Sequence, residues 1–450
     1  MASSRPIPWL VLVAALSLTA CSAALPTSPD DVPVPGPLPP SPILTAAVPA
    51  GITRYDNASL ADLFVRLAFD LEWGGRRPNL VRYEAPVRVG VSGCCGATYS
   101  GFIDRILAVL RNRSNIDIAR AQSGQNLLIN FVPGADFRAR VPSELCVVAP
   151  GRTGWAQFRE SPLRNGTRAF ETRREIGAMS VFIPDTAPPY AVRTCLIEEV
   201  SQALGLANDL NGLGSSIFND DGAHIWPTEL DHLMLRVLYT PEMRTGLNRR
   251  TAHSQAKSIL DRINPQGLVA PPLPNPAPTD AKDWSDLLRD AVDPRQSQTQ
   301  RREAADEALA ITERRHRGTA PHCRALRVHA RLNREDAGSA YANLNRASRV
   351  CRTAHGPTDI RLALVRLEMA RAAYRLGRAS EAWGLSEDLA PMLAAHGQAE
   401  RLVALYALQA AALDAIQRPE VARAARLKSA AWAAYALGRT HPQTRLLSRN

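Results

Sequence analysis

Two proline-rich stretches divide this 450-residue chain into separate segments. One covers about residues 25–49 and the other about 264–281. Proline fixes the backbone φ angle and has no amide hydrogen, so at this density it favours extended polyproline II structure over helices and central strands. The length allows two or three domains, and 45% hydrophobic residues exclude a wholly disordered chain. We therefore predict two folded segments that follow a proline-rich tether and are joined by a proline-rich linker.

The N-terminus has the features of a signal peptide, predicted at residues 1–20. Its apolar stretch, Ile7–Leu18, is too short to span a membrane as a helix. The residues Leu18-Thr19-Ala20-Cys21 resemble a bacterial lipobox, which implies cleavage before Cys21 and acylation of that cysteine. The alternative is an ordinary signal peptide with an unrelated cysteine. With residues 21–50 as a tether, the expected location is the envelope, on the periplasmic side of the outer membrane, because Ser22 is not the aspartate of inner-membrane retention.

The segment 51–251 mixes helical and strand patterns, which predicts an α+β domain. Leucines and a phenylalanine share one helical face from Leu60 to Leu71, whereas Val87, Val89 and Val91 alternate as in a strand. The further expected elements are helices at 103–110, 192–205 and 228–239, and strands at 126–132 and 178–183. Residues 252–282 are assigned to the linker.

The segment 283–450 contains an internal repeat of 41 residues, which predicts an all-α array of stacked helical hairpins. Its markers are Ala354-His355-Gly356, Ala395-His396-Gly397 and Ala436-Leu437-Gly438. The stretch from Ala370 to Ala382 resembles a tetratricopeptide unit, with small residues where two helices approach. A generic stack of helical hairpins is the alternative. Such arrays bind proteins, so the resemblance implies envelope proteins as partners.

Seven cysteines are present, an odd number that the proposed lipidation of Cys21 makes even. Cys323 and Cys351 flank the turn near residue 337, so antiparallel helices joined there would bring them together. Cys146, on a strand-like stretch, and Cys195, in a helix, form the second predicted disulfide, which is chemically reasonable after export. The adjacent Cys94 and Cys95 either bond to each other or stay free.

The segment from Ile197 to Asp209 carries the pattern most informative about chemistry. A metzincin helix has the form His-Glu-x-x-His-x-x-Gly-x-x-His, with two zinc ligands one helical turn apart, a glycine bend and a third ligand. This chain resembles that pattern at identical spacing, with Glu198, Gln202 and Asn208 at the three ligand positions. Glu199 occupies the position of the catalytic carboxylate and Gly205 that of the bend.

The downstream sequence extends this resemblance. Ser216-Ile217-Phe218 lies where metzincins have their methionine turn, with phenylalanine in place of methionine. The helix expected from Thr228 to Tyr239 is similar to the closing helix of matrixin-like domains. The segment also resembles a bacterial domain family of unknown function over roughly residues 50–250. These resemblances imply a zincin-like domain that has lost all three histidines.

The replacement of the histidines changes the expected chemistry. Neutral glutamine and asparagine amides are weak zinc ligands, and without a Lewis acid Glu199 has no acidified water to deprotonate. We therefore expect no cofactor and no catalysis, and we interpret the domain as a pseudoenzyme. An oxygen-only ligand set leaves a weakly bound divalent cation such as Ca²⁺ as one alternative. The second alternative is an atypical metallopeptidase with Glu199 as general base. His224, His232 and His253 are scattered and are expected to be solvated or to cap helices.

The net charge of +11 belongs mainly to the helical segment. Residues 283–450 contain 27 basic and 18 acidic residues, a net of +9. Nucleic acid is not the expected partner, because an exported protein does not meet the chromosome and the arginines are dispersed. Anionic groups in the envelope fit this charge better.

Overall fold

A sheet-containing domain is followed by an all-helical array in the computed structural model of the chain. The structure describes residues 55–71, 75–142, 144–151, 154–160, 175–210, 213, 215–219, 222–272, 284–293 and 295–447. The predicted signal peptide, the tether and Cys21 lie outside these residues. Within the described ranges, no helix has both the length and the apolar character needed to cross a membrane.

The first domain is built on a five-stranded sheet. Its strands are β1 (Val87–Ser92), β2 (Ile118–Arg120), β3 (Leu127–Val132), β4 (Val147–Pro150) and β5 (Met179–Pro184). They lie in the order β2-β1-β3-β5-β4, and all neighbours are parallel except the β4–β5 pair. Every residue of β5 is buried, as expected for a strand covered on both faces.

Seven helices accompany the sheet in the described part of this domain. They are α1 (Asn57–Phe69), α2 (Gly96–Ser114), α3 (Gly134–Arg140), α4 (Trp155–Glu160), α5 (Pro189–Ala203), α6 (Glu229–Tyr239) and α7 (Arg249–Ile263). One large apolar core joins α1, α2, α5, α6 and α7 to the central strands. The fold class predicted from the sequence, a mixed helix and sheet domain followed by a helical array, is confirmed.

The domain continues beyond residue 251, where the sequence analysis ends it. Helix α7 runs to Ile263, and its buried residues Ala252, Ala256, Ile259 and Leu260 recur at helical spacing. Its C-terminal end is tied to α1, because the side-chain amide of Asn57 donates to Asp261 Oδ1 at 3.0 Å. Residues 252–263 therefore belong to the core and not to the linker. Their largely polar sequence beside a proline-rich stretch concealed this.

The second domain is a succession of helices. They are α8 (Trp284–Val292), α9 (Gln298–Arg315), α10 (Ala320–Leu332), α11 (Ala337–His355), α12 (Ile360–Arg375), α13 (Ala379–Ser386), α14 (Ala390–Ala395), α15 (Ala399–Ala415), α16 (Pro419–Leu437) and α17 (Pro442–Leu447). The glycines of the three repeat markers, Gly356, Gly397 and Gly438, follow the ends of α11, α14 and α16, with φ angles of 93°, 72° and 95°. The 41-residue spacing thus marks helix ends, where glycine tolerates a positive φ.

The array packs against the first domain through α5 and the loop before α6. Arg193 of α5 donates to the carbonyl oxygen of Tyr435 at 2.9 Å, and its guanidinium lies 4.0 Å from the Tyr435 ring centroid. The side-chain amide of Gln398 donates to the carbonyl oxygens of Gly222 and Ala223 at 2.8 and 2.9 Å. The helix that carries Glu198 and Glu199 therefore also contacts the array.

Candidate functional site

Helix α5 and the segment that follows it hold the residues of the zincin-like pattern. Glu199, Gln202 and Asn208 are 7%, 9% and 6% exposed, whereas Glu198 is half-buried. Glu198 and Gln202 are four residues apart and share one face of the helix, as the pattern predicts. The candidate site is therefore a largely buried polar cluster at the C-terminal end of α5.

The helix ends in a bend that requires glycine. Gly205 has a φ of +126°, and a Cβ atom there would lie 2.8 Å from the carbonyl oxygen of Val81. Arg77 donates to the Gly205 carbonyl oxygen at 2.8 Å, and the Tyr239 hydroxyl donates to the Leu204 carbonyl oxygen at 2.9 Å. These contacts fix the direction in which the chain leaves the helix toward Asn208.

The two amides at the ligand positions donate hydrogen bonds to protein oxygens. Gln202 Nε2 lies 3.4 Å from Asp209 Oδ2, so the helix and the segment after the bend are brought together. Asn208 Nδ2 donates to the carbonyl oxygen of Arg66 at 3.1 Å. Asn208 is thereby joined to the C-terminal part of α1. Both amides stabilise the path of the chain around the bend.

The Ser216-Ile217-Phe218 turn lies against this segment. Leu210 N donates to the Phe218 carbonyl oxygen at 2.9 Å, and Ser216 and Phe218 are fully buried. Asp231 of α6, which is also fully buried, holds the turn in place. Its carboxylate accepts from the Ser216 hydroxyl and, at 3.0 Å, from Ile217 N.

Asp231 is a positioning residue that the sequence analysis missed. Together with Thr228 it forms the capping box of α6, and its carboxylate accepts from Thr228 N at 2.7 Å. A Thr-x-x-Asp sequence before an apolar helix is the signal that could have identified it. Burial raises the pKa of Asp231 to about 6, against the opposing effect of its hydrogen-bond donors.

The donor set of this site is poor for a catalytic metal. Zinc sites use imidazole, thiolate or carboxylate ligands, and here two of the three aligned positions offer only amides. Across the described ranges, no group of three or more histidine, cysteine, aspartate or glutamate side chains is arranged to hold a metal ion. The hydrogen bonds of the two amides fix the path of the backbone around the bend.

Both predicted cysteine pairs lie at bonding distance. The sulfur atoms of Cys146 and Cys195 are 1.99 Å apart, and those of Cys323 and Cys351 are 2.02 Å apart. The first bond attaches α5 to the segment that enters β4, and the second joins α10 to α11.

The adjacent cysteines, Cys94 and Cys95, are free thiols in this structure, and their sulfur atoms lie 2.9 Å apart. Burial and the neighbouring Cys94 raise the pKa of Cys95 to about 11.

The prediction that the three histidines of this domain are solvated or cap helices is wrong for His232. That residue is fully buried, and its Nδ1 lies 2.7 Å from Ser114 Oγ. Burial lowers its pKa to about 3, and the charges of Arg113 and Arg236 act in the same direction. His253 is at the surface, where its Nε2 lies 2.9 Å from Asp62 Oδ1. The ring of His224 packs against that of His396 in the array, with 5.4 Å between the ring centroids.

The first domain matches a protein family whose function is not known. Residues 57–258 match a family described as a protein of unknown function (DUF2927). The match extends from the start of α1 into α7, so it coincides with the sheet-containing domain and leaves the helical array outside. The predicted resemblance to a domain family of unknown function is thereby confirmed. No curated protein and no solved structure matches the chain.

Proposed function

We propose that this protein is a lipid-anchored component of the bacterial cell envelope, with a catalytically degenerate metzincin-like domain and a helical array that binds other proteins. One observation carries the proposal. The helix, the carboxylate and the glycine bend of a zincin are retained, whereas glutamate, glutamine and asparagine replace the three histidines.

The geometry around the bend supports the zincin-like part of this proposal. Gly205 occupies a backbone conformation that other residues rarely adopt, and the Ser216-Ile217-Phe218 turn packs against the segment after the bend. Both features belong to the pattern on which the resemblance rests. Helix α6 begins at Glu229 and ends at Tyr239, as expected for the closing helix.

The loss of catalysis follows from ligand chemistry. Gln202 and Asn208 present neutral amides, and both amides already donate hydrogen bonds to protein oxygens. Glu199 remains, but a carboxylate alone does not bring the pKa of water near neutrality, as a bound zinc ion does. The retained architecture therefore acts as a structural frame to which the array is attached.

The envelope location is supported by the cysteines. Two disulfides within one chain are typical of proteins outside the cytosol. Cys21 would supply the anchor, and the proline-rich tether would separate the folded domains from the membrane surface. The helical array, with a net charge of +9 over residues 283–450, is the surface expected to meet partners.

Metal analysis and peptide cleavage by the purified full chain test the catalytic part. We expect no cleavage of a mixture of unstructured peptides in the presence of added zinc. Zinc-dependent cleavage that disappears in Glu199→Gln would contradict the proposal and establish the atypical metallopeptidase. A Glu160→Gln variant, which changes an exposed carboxylate outside the site, is the matched control.

Membrane fractionation tests the anchoring part. Cys21→Ala should move the protein from the membrane fraction to the soluble fraction, because acyl chains supply the attachment. Cys94→Ala is the matched control and should remain with the membranes. Continued tight membrane association of Cys21→Ala would contradict the lipid anchor.

A further inference from the structure

A cavity of about 970 Å³ lies within the helical array, and arginines dominate its charged lining. The arginines come from four helices and one turn: Arg301, Arg331, Arg334, Arg371, Arg375 and Arg401. Apolar side chains such as Val328, Leu344 and Tyr374 also line it. The cavity thus combines a positive charge with an apolar surface.

The cavity has more positive than negative charge. Glu335 and Glu368 are its two acidic lining residues, which leaves an excess of four positive charges. Glu335 is already paired with Arg302, which does not line the cavity, at 2.6 Å. Glu368 lies 3.8 Å from Arg331. The carboxylates of the cavity are therefore too few to neutralise its arginines.

Among the residues that the structure describes, three of the arginines have no ion pair of their own. Within the described ranges, the guanidinium groups of Arg334, Arg371 and Arg401 make neither a salt bridge nor a side-chain hydrogen bond. The half-buried Arg371 has a lowered pKa, because burial and the charges of Arg401 and Arg334 disfavour its protonated form more than Glu368 favours it. A negatively charged ligand would relieve this repulsion.

We propose that this cavity binds an acidic peptide segment of a partner protein. The positive charges are spread over four helices and a turn and not focused on one point, which suits several carboxylates along an extended chain. Guanidinium groups pair with carboxylates through two parallel hydrogen bonds, and the apolar lining offers contacts that a bare phosphate would not use. The inference rests on the proposed function, since it names the class of partner for the array.

Fluorescence anisotropy of a labelled peptide, Glu-Leu-Glu-Glu-Leu-Glu, tests this with the full chain purified in mild detergent. We expect binding of this peptide and none of its glutamine analogue. The double variant Arg371→Gln/Arg401→Gln should weaken binding at least about tenfold, because each loses charge-assisted hydrogen bonds. Arg352→Gln/Arg423→Gln removes the same charge from exposed arginines that do not line the cavity, and should change binding less than about twofold.

Three results of the binding assay would overturn the proposal: no binding by the native chain, equal weakening in both double variants, or displacement of the peptide by inorganic tripolyphosphate as effectively as by unlabelled peptide. Amide hydrogen exchange of the native chain, measured with and without the peptide, provides evidence that needs no variant. The bound peptide should slow the exchange of backbone amides in the segments around Arg334 and Arg371. Protection confined to other segments would also overturn it. Zinc-dependent cleavage by the native chain would instead contradict the proposed function and leave the cavity result unchanged.

Discussion

Replacement of Asp231 by alanine should destabilise the first domain more than any surface substitution. The fully buried carboxylate is the acceptor for four groups, namely the hydroxyls of Ser216 and Thr228 and the backbone amides of Ile217 and Thr228. Alanine leaves both backbone amides without this acceptor, and each unsatisfied buried donor costs about 1–3 kcal/mol. The expected loss is therefore about 4 kcal/mol, which corresponds to a fall of about 10 °C in melting temperature for a domain of this size.

Asparagine at the same position should cost far less. Its side-chain oxygen can accept from both backbone amides, and its amide group can donate to Ser216 Oγ. Burial raises the pKa of Asp231 to about 6, which means that the buried site favours a neutral side chain more than the solvent does. We expect Asp231→Asn to lose about 1 kcal/mol, since only the contribution of the charge to the hydrogen bonds is removed.

Differential scanning calorimetry and hydrogen exchange at pH 7.5 measure these effects. The backbone amides of the segment that contains Ile217 should exchange their hydrogens faster in Asp231→Ala and close to the native rate in Asp231→Asn. Asp104→Ala, at a side chain that is 55% exposed, is the control and should stay within about 0.5 kcal/mol of the native chain. A melting temperature for Asp231→Ala that equals that of Asp104→Ala would refute the reasoning.

Two further predictions concern the bend and the buried histidine. Gly205→Ala should lower the melting temperature by an amount equivalent to at least about 2 kcal/mol, because it combines a positive φ with a backbone contact of 2.8 Å. Gly101→Ala, in the exposed middle of α2 with no neighbouring atom within 4 Å, should instead be neutral or stabilising, and the opposite order would contradict this. Since burial lowers the pKa of His232 to about 3, the unfolded chain binds an extra proton between that pH and about 6.5. The contribution of His232 to stability, fully present above pH 6.5, is therefore lost as the pH falls, by up to about 5 kcal/mol. Urea titrations should show a correspondingly larger loss of stability at low pH in His253→Gln than in His232→Gln.

Several elements could be predicted because one local pattern determines them. Helix α5 ends at Ala203, within two residues of the predicted end, since the helical periodicity stops there and the following Gly205 adopts a φ angle that only glycine tolerates without strain. Cys323 and Cys351 could be paired because they are nearly equidistant from the turn between two helices. The three repeat glycines likewise mark helix ends through their own conformational freedom.

Other elements could not be predicted, because they depend on contacts between distant residues. Strand β2 has only three residues, too few for an alternating pattern, and it forms through pairing with β1. The burial of His232 requires Ser114, which is 118 positions away in the sequence. The arginine cavity escaped notice for the same reason: its residues are dispersed along the chain and converge only when the helices pack.

The central claim is that the domain keeps a zincin-like frame and has lost its metal ligands. The most direct test is the number of zinc ions bound per chain, measured for the native chain and for the triple variant Glu198→His/Gln202→His/Asn208→His. If the domain keeps a zincin-like frame and lacks only the ligands, the triple variant should retain about one zinc ion per chain after dialysis and the native chain far less. One zinc ion per native chain would contradict the loss of the metal site. Absence of zinc from a folded triple variant would contradict the zincin-like frame.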